Sequence, residues 1–258
     1  MILGIDIGNT TIEFGFIDEN IKSFKLSTNQ EKTADDWLID IHNLHKLANI
    51  NPQSIKDSVI SSVVPKVTQS LSKALYRFYG KKTIILKDEV KIPIVNKYKH
   101  PEEVGTDRLV NAFSALQITN PPIVVIDLGT AVTFDVINEK GEYEGGLIFL
   151  GIEKTKDCLF SKTAKLPMTN FKKPEHIIGK TTEESIQSGL YYGFKSMLEG
   201  IVSQIYNSFE SEPNIVLTGG NANIFYKDLN FKCVIEPDLT MKGIQNIYKT
   251  VEKNKNNL

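Results

Sequence analysis

Two short segments of the sequence place an aspartate at the end of an apolar run and follow it with a glycine turn. They are DIGN (6–9), with Asp6, and DLGT (127–130), with Asp127. A carboxylate in this position can hold a hydrated Mg²⁺, and the exposed N–H groups of such a turn can bind phosphate. One copy alone is more often an Asx or hairpin turn, but two copies in matched surroundings favour a pair of phosphate-binding turns.

A third glycine turn, TGGN (218–221), follows the apolar segment NIVL (214–217). The small Gly219 and Gly220 would let a base or ribose approach the backbone closely, although an ordinary strand-to-helix turn explains the pattern equally well. Other nucleotide signatures fail. The segment GKT (179–181) ends like a P-loop, but Pro174 stands where that motif requires its first glycine.

The segment EVGTDR (103–108) places Asp107 and Arg108 together at the expected start of a helix. One interpretation makes Asp107 a helix N-cap, the commoner use of aspartate there. The other makes Asp107 the acceptor of a substrate hydroxyl proton and Arg108 a clamp on a carboxylate or on phosphoryl charge. The sequence leaves both open. None of the four histidines is assigned a role, and we expect His42 and His45 on an exposed helix.

The elements that must position these residues follow from the spacing of apolar residues. The first half predicts strands at 2–7, 12–17, 21–27, 57–64 and 82–86, and helices around Trp37 to Ala48, at 66–79 and at 107–117. The strand-rich pattern then restarts. Strands are expected at IVVIDLG, AVTFDVIN, YEGGLIFLG, NIVLTGG and KCVIE. Helices are expected at 182–209, with a Thr181…Glu184 capping box, between the last two strands, and at 239–251.

The two similar element orders, each opened by an apolar-Asp-apolar-Gly-polar turn, predict a duplicated α/β fold. Each half is expected to form a mixed sheet flanked by helices, with a cleft between the halves. We place the N-terminal domain at 1–119 and the C-terminal domain at 120–258.

Composition narrows the classes of function. The formal net charge of −1, from 30 Lys+Arg and 31 Asp+Glu, gives no overall attraction to nucleic acid, and we expect no nucleic-acid partner. No apolar run approaches the ~20 residues needed to cross a bilayer, so no membrane association is expected. The two cysteines, Cys158 and Cys233, lack zinc-ligand spacing. We therefore expect a cytoplasmic protein.

Taken in order along nearly the whole chain, the motifs resemble those of the type III pantothenate kinases, members of the superfamily of acetate and sugar kinases, Hsp70 and actin. The resemblance rests on DIGNTT (6–11), SSVVP (61–65), Tyr98, PEEVGTDRLVNA (101–112), IDLGTAVTFD (126–135), EGGLIFLGI (144–152), AKLP (164–167), GKTTEESIQSG (179–189) and TGG (218–220). It implies two ribonuclease H-like domains of the actin-like ATPase type. It also implies transfer of the ATP γ-phosphoryl group to pantothenate, the first step toward coenzyme A.

The resemblance also implies roles for individual residues. Asp107 would be the general base, Asp6 would lie nearest the Mg²⁺ that accompanies ATP, and Asp127 would hold a monovalent cation, K⁺ or NH₄⁺. Pantothenate would contact Tyr98, Gly105, Thr106, Asp107, Arg108 and Thr182. ATP would contact Asp6, Ile7, Gly8, Asn9, Thr10, Thr11, Ile12, Glu13, Thr130, Gly219 and Gly220. A homodimer is implied, and the long helix, with Gly189, Gly193 and Gly200 in its interior, is our candidate for the contact.

One residue departs from the family pattern, because Leu150 precedes Gly151 where a proline is usual. Two alternatives stay open. A polyphosphate or nucleotide phosphohydrolase would use the same turns with water as acceptor, and a non-catalytic accessory or regulatory protein would keep the scaffold alone. Asp6, Asp107, Arg108 and Asp127 are all present, which counts against the second.

Overall fold

A computed structural model describes residues 1–162 and 170–256 of the chain. The AKLP segment (164–167) of the family resemblance lies outside the described residues. The chain divides into two compact units. Unit 1 comprises Met1–Ser114 together with the segment that begins at Asp238, and unit 2 comprises Ala115–Pro237.

Unit 1 contains a mixed five-stranded sheet. Its strands are β1 (Ile2–Ile7), β2 (Thr11–Ile17), β3 (Ile21–Ser27), β4 (Ser58–Ser62) and β5 (Ile84–Ile85), in the spatial order β3-β2-β1-β4-β5. The first three strands form an antiparallel meander, while β4 and β5 run parallel to β1. Because parallel strands end at the same edge, β1 and β4 bring the segments that follow them to one side of the sheet.

The helices of unit 1 are α1 (Ala34–Ala48), α2 (Pro65–Tyr79), α3 (Thr106–Ala115) and α7 (Leu239–Asn256). Helix α1 begins with a capping box, in which Thr33 and Asp36 bind each other's backbone N–H groups. Trp37, Ile41 and Leu44 bury one face of this helix against β1, β2 and α2, as the helical spacing predicted. Apolar side chains from the sheet and these helices therefore form one core.

Unit 2 repeats the same sheet. Its strands are β6 (Ile123–Leu128), β7 (Ala131–Ile137), β8 (Tyr143–Leu150), β9 (Asn214–Thr218) and β10 (Val234–Ile235), in the order β10-β9-β6-β7-β8. Strands β6, β7 and β8 form the antiparallel meander, and β9 and β10 run parallel to β6. Each strand thus has a counterpart in unit 1, which confirms the predicted duplication.

The helices of unit 2 are α4 (Ile152–Lys162), α5 (Thr182–Tyr206) and α6 (Ala222–Phe225). Thr181 caps α5 by accepting from the Glu184 N–H, as predicted, but the Glu184 carboxylate accepts from the Lys180 N–H. Leu190, Phe194 and Leu198 of α5 pack onto the core of the second sheet. No helix in the described part of the chain is both long and apolar enough to span a membrane.

The structure corrects several expectations. Helix α7 packs against β1, β2 and β4, so it belongs to unit 1 and not to the C-terminal domain in which we placed it. Helix α4 was not predicted from the sequence. Strand β5 has two residues, although five were expected, and His45 is buried, not exposed. His45 faces inward because its ring packs against Phe16 and Phe78.

Candidate active site

Asp6 is the penultimate residue of β1 and lies half-buried beside the end of β4. Its parallel neighbour is Ser61, whose fully buried hydroxyl donates to Asp6 Oδ1 at 2.8 Å. The hydrogen bond fixes the carboxylate at the carboxyl edge of the sheet. The SSVVP motif contains Ser61, but the sequence indicates no role for it. The β1–β4 register shows that its hydroxyl holds the Asp6 carboxylate.

The turn after β1 closes through backbone hydrogen bonds. Gly8 N–H donates to Thr11 O at 3.0 Å, and Thr28 holds the turn from the neighbouring strand by donating to Gly8 O and Thr10 O. The side chains of Asn9 and Thr10 are exposed at its tip, where they and the turn amides can meet a ligand.

Not every residue of this predicted segment faces outward. Ile7 and Ile12 are buried in the core of unit 1, so they support the turn rather than present a polar group. Glu13 lies opposite Asp6 on β2 and forms an ion pair with Lys25 at 3.2 Å. Within residues 6–13, the turn from Gly8 to Thr11 is therefore the accessible part, and the half-buried Asp6 lies at the end of the strand that leads into it.

Asp107 lies in the first turn of α3. The first helical hydrogen bond runs from Leu109 N–H to Gly105 O, which makes Gly105 the N-cap position. The N-cap interpretation of Asp107 is therefore wrong by two positions. Its Oδ1 instead accepts from the Arg108 N–H at 2.8 Å, and the Arg108 side chain is buried.

Gly105 brings Asp107 close to the end of β4. A Cβ at Gly105 would overlap Asp107 Oδ1 and would lie 3.3 Å from Val63 Cγ1. Val63 in turn donates its N–H to Ile7 O at 3.1 Å. The structure thus brings the GTDR segment to the same sheet edge as the turn that follows Asp6.

Burial raises the pKa of Asp107 above its usual value of 3.8, while the Arg108 N–H and the charges of Arg108 and Lys87 oppose that rise. A helix N-terminus favours the charged form of a carboxylate, but burial outweighs that effect at Asp107. A carboxylate whose pKa is moved toward neutral pH is a better proton acceptor than an ordinary aspartate.

Tyr98 lies half-buried in the loop that leads to this helix, and its N–H donates to Asn96 Oδ1 at 2.9 Å. Asn96 also donates to Pro101 O, which ties the Tyr98 loop to the approach of the GTDR segment. Thr106 is buried at the start of α3. Tyr98, Gly105, Thr106, Asp107 and Arg108 therefore form one connected part of unit 1.

Unit 2 builds a second site around Asp127, the penultimate residue of β6. Gly129 N–H donates to Ala131 O at 3.1 Å and closes the turn, at whose tip Thr130 is exposed. Gly219, at φ +91°, follows the parallel strand β9, and a Cβ there would overlap Asp127 Oδ1 and the Leu128 backbone. Glycine is required at this position, because a side chain would fill the space against the carboxylate.

Two further backbone segments close on the same turn. Gly151 N–H donates to Thr130 O at 3.1 Å, and a Cβ at Gly151 would overlap the carbonyls of Gly129 and Thr130. Asn221 N–H donates to Leu128 O at 3.2 Å, and Gly220 beside it is exposed. Leu150 ends β8 with its side chain 48% exposed, so the departure from proline leaves the Gly151 contact in place.

The donor sets suit different cations. Asp6 offers a hard carboxylate oxygen beside an exposed turn, which suits Mg²⁺ carried by a polyphosphate. Asp127 Oδ1 packs closely against the Gly129 and Gly219 turns, whose backbone carbonyl oxygens could join the carboxylate as ligands of a cation. Within residues 1–162 and 170–256, no group of three or more His, Cys, Asp or Glu side chains is arranged to hold a metal. Either cation would thus take its other ligands from phosphate, water or backbone.

Thr182 is the first residue of α5 and lies at an apolar cavity of about 720 Å³ in unit 2. Gly189, Gly193, Phe149 and Leu159 contribute to its lining. This cavity was not predicted, because it depends on α4, which sequence patterns did not reveal.

Solved structures with a similar architecture define the class of fold. A putative Baf family transcriptional activator from Campylobacter jejuni gives a TM-score of 0.62, covering 98% of this chain and 100% of that one at 17% identity. The activator of 2-hydroxyisocaproyl-CoA dehydratase from Clostridium difficile, with bound ADPNP, gives 0.55, covering 100% and 97% at 14% identity. These likenesses show the fold alone. With the two mixed sheets, they confirm the duplicated ribonuclease H-like fold of actin-like ATPases.

Sequence comparison identifies the family within that class. The profile of the type III pantothenate kinases matches residues 2–204. A type III pantothenate kinase of Persephonella marina is 48% identical over 250 residues, which are 96% of this chain and 98% of that protein. One from Sulfurihydrogenibium sp. is 46% identical over 246 residues, or 95% and 98%. This chain belongs to the type III pantothenate kinase family, as its motifs predicted.

Proposed function

We propose that this chain transfers the γ-phosphoryl group of ATP to the primary hydroxyl of pantothenate and forms 4'-phosphopantothenate, the first step of coenzyme A biosynthesis. The observation that carries the proposal is the 48% identity to a type III pantothenate kinase over 96% of the chain. The GTDR segment supports it, because it sets a half-buried carboxylate beside a buried arginine, and these could serve as a base and as a cation for an organic acid acceptor.

Asp107 is the general base of the proposed reaction. It accepts the proton of the pantothenate hydroxyl while the hydroxyl oxygen bonds to the γ-phosphorus and the bond to the β,γ-bridging oxygen breaks, releasing ADP. Gly105, Thr106, Arg108, Tyr98 and Thr182 bind pantothenate. The buried Arg108 guanidinium suits the substrate carboxylate, or the charge on the transferring group, because it can donate two parallel hydrogen bonds.

ATP binding is assigned to the turns at 6–13 and to Thr130, with Gly219 and Gly220 for adenosine. Mg²⁺ at Asp6 and K⁺ or NH₄⁺ at Asp127 would neutralise charge on the phosphate oxygens. The exposed amides and side chains of the first turn orient the phosphates, while Ser61 holds the Asp6 carboxylate in place. We also propose a cytoplasmic location, because the proposed reaction consumes ATP.

The test is ADP release with and without pantothenate. We expect ADP to form only when pantothenate is present. ADP release that ignores pantothenate would identify a phosphohydrolase, and absence of turnover would favour an accessory protein; either result would overturn the proposal.

The Asp107→Asn variant tests the proposed base in the same assay. The amide has similar size but cannot accept the proton, so kcat should fall by ~10²–10⁴-fold. Glu103→Gln is the matched control, because Glu103 is an exposed carboxylate four residues earlier, and it should stay near wild type. Near-normal turnover of Asp107→Asn would remove Asp107 from the mechanism.

We further propose that the protein is a homodimer through the face of unit 2 that carries the apolar cavity. Leu147 and Phe149 of β8, whose side chains share one face of the strand, are 40% and 52% exposed, and Phe149 lines the cavity. Among the described residues, a Cβ at Gly189, Gly193 or Gly200 would meet no atom within 4 Å, so no described segment of the chain explains these glycines. A second copy of the chain packed against α5 would explain them.

Light scattering at micromolar concentration tests the dimer. Phe149→Glu should shift the protein toward a monomer, because it buries a charge in the proposed interface. Ile39→Glu is the control, since Ile39 is similarly exposed, at 63%, but lies on α1 of unit 1. A monomeric wild-type protein with full activity would contradict this proposal.

A further inference from the structure

The turn after β5 carries a lysine in an unusual backbone conformation. Lys87 has φ +73°, and the only other non-glycine residue with positive φ in the described part of the chain is Asn49, a helix C-cap. Lys87 N–H donates to Val90 O, and the preceding Leu86 N–H donates to Ile60 O of β4. The sheet therefore holds a strained residue in place, which calls for a specific use of its side chain.

The Lys87 ammonium reaches the approach to the GTDR segment. Its Nζ donates to Glu102 O at 2.7 Å and to Val104 O at 2.6 Å. These carbonyls lie just before Gly105, the N-cap of α3. Lys87 thus links the sheet to the loop that immediately precedes α3 and Asp107.

The same ammonium acts on Asp107 electrostatically. Arg108, on the same helix, and Lys87, from the β5 turn, are the charged groups that oppose the rise in the Asp107 pKa caused by burial. Of the carboxylates near this turn, Glu89 is paired with Lys82 at 2.6 Å, and Glu102 lies 3.8 Å from His100 Nδ1, which is an ion pair when the imidazole is protonated; Asp88 and Glu103 are the other carboxylates beside Lys87 and the GTDR approach. Both the placement and the charge of the proposed base therefore depend on Lys87.

We propose that Lys87 is a positioning residue for phosphoryl transfer, which clamps the carbonyls of Glu102 and Val104 and thereby sets the position and charge environment of Asp107. This inference rests on the proposed role of Asp107 as the base. Sequence spacing could not indicate it, because Lys87 is 20 residues away from Asp107 and belongs to no motif.

The experiment compares Lys87→Met with Lys81→Met. Lys81 is a matched control because its Nζ also donates to a backbone carbonyl of unit 1, that of Lys56, without a contact to the GTDR approach. For Lys87→Met we expect kcat to fall by about 10- to 100-fold, as for a displaced catalytic group. The acid limb of the pH–kcat profile should move to higher pH, because a positive charge near the base is lost. Lys87→Arg should restore most of the activity.

A second readout does not depend on turnover. Amide hydrogen exchange across 105–109 should be faster in Lys87→Met than in Lys81→Met, since the protection of the Leu109 and Arg108 amides depends on the placement of this turn. Lys87→Asn, which tolerates positive φ, should show the same faster exchange and separates loss of the ammonium from backbone strain.

The inference fails if Lys87→Met matches Lys81→Met in exchange, or if its activity falls while the acid limb stays fixed. The proposed function fails separately, if wild-type protein releases no ADP in response to pantothenate or if Asp107→Asn stays active. The exchange comparison distinguishes the two failures, because it detects the clamp in either case.

Discussion

The two aspartate turns occupy the same place in their sheets but have different neighbours. Asp6 and Asp127 are each the penultimate residue of the first strand, and each lies beside a hydroxyl residue on the parallel strand, Ser61 or Thr218. The residue after that neighbour differs. It is Ser62 in unit 1 and Gly219 in unit 2.

That difference decides what each carboxylate faces. The Ser62 hydroxyl accepts from Val64 N–H at 3.0 Å and from Thr68 Oγ1 at 2.6 Å, so it fastens the start of α2. Gly219, which has no side chain, lets Asp127 Oδ1 approach the backbone at the end of β9 closely. The duplicated fold therefore fixes where a carboxylate stands, while one residue on the next strand fixes the space left beside it.

The largest effect that would sharpen this comparison is expected from Asp6→Asn. The amide oxygen can still accept from Ser61, so the fold should persist, but the charge that attracts Mg²⁺ is lost. We expect kcat/KM to fall by about 100-fold or more, with a higher Mg²⁺ requirement. A Mg²⁺ titration of ADP release measures both.

Ser61→Ala is the control for Asp6→Asn, because it removes the hydrogen bond and keeps the charge. Its Mg²⁺ requirement should change much less. If Asp6→Asn kept the wild-type Mg²⁺ dependence, the first turn would be purely structural.

Asp127→Asn should have the next largest effect, on a different ion. The K⁺ concentration for half-maximal activity should rise by about 10-fold or more, because a direct charge beside the ion is removed. Mg²⁺ dependence should change less. The measurement is a K⁺ titration at fixed Mg²⁺ and constant ionic strength, with Na⁺ in place of K⁺ as the control. A wild-type enzyme indifferent to that replacement would remove the cation assignment.

Gly219→Ala tests the close approach of Gly219 to Asp127. The new Cβ would overlap Asp127 and the residue would be strained at φ +91°, so we expect a loss of about 1–3 kcal/mol in the free energy of unfolding. Thermal unfolding measures the loss, and K⁺ titration should show a weaker response to the ion.

The matched variant in unit 1 is Ser62→Ala. It removes the hydrogen bonds to Val64 and Thr68, so it should cost about 1 kcal/mol of stability. It should leave the Mg²⁺ and K⁺ requirements unchanged. If both substitutions changed the K⁺ dependence equally, the close approach of Gly219 to Asp127 would have no specific effect on K⁺ binding.

The sequence predicted what depends on local periodicity. The strands of both meanders and helices α1, α2 and α5 were expected within a few residues, because apolar spacing and the cap at Thr181 are local signals. The duplication followed from two matching element orders. Both aspartate turns were predicted because the same apolar-Asp-apolar-Gly-polar pattern occurs twice in matched surroundings.

Features that depend on distant contacts were missed. Helix α7 joins unit 1 because its apolar face packs on β1 beside Gly4 and Gly15, a pairing across more than 200 residues. Lys87 and Ser61 act through tertiary hydrogen bonds that no spacing rule encodes. His45 was expected on an exposed helix. Its burial was missed because its aromatic partners Phe78 and Tyr79 lie on α2, far along the chain.

The aromatic cores of the two units also differ in their response to acid. In unit 1, His45 Nδ1 donates to Ile50 O and its Nε2 faces the Tyr79 hydroxyl, while burial lowers its pKa below 6.5. In unit 2, Tyr191 donates to Asp228, whose pKa is held below 3.8 by hydrogen bonds from Lys173 and Tyr191. The titrating group is a histidine in one core and a carboxylate at the edge of the other.

The smallest expected effect follows from that difference. Because folded unit 1 binds a proton at His45 less readily than the unfolded chain, its stability is complete above about pH 6.5 and declines as the pH falls through the lowered folded value. The Asp228 contribution in unit 2 is present above pH 3.8 and is lost only below it. Protection factors of the α1 amides, which correct exchange rates for their intrinsic pH dependence, should therefore fall between pH 7 and pH 5 while those of α5 do not. His45→Gln, which cannot titrate, should abolish the change in α1; an equal fall in both helices would assign the acid response to groups other than His45.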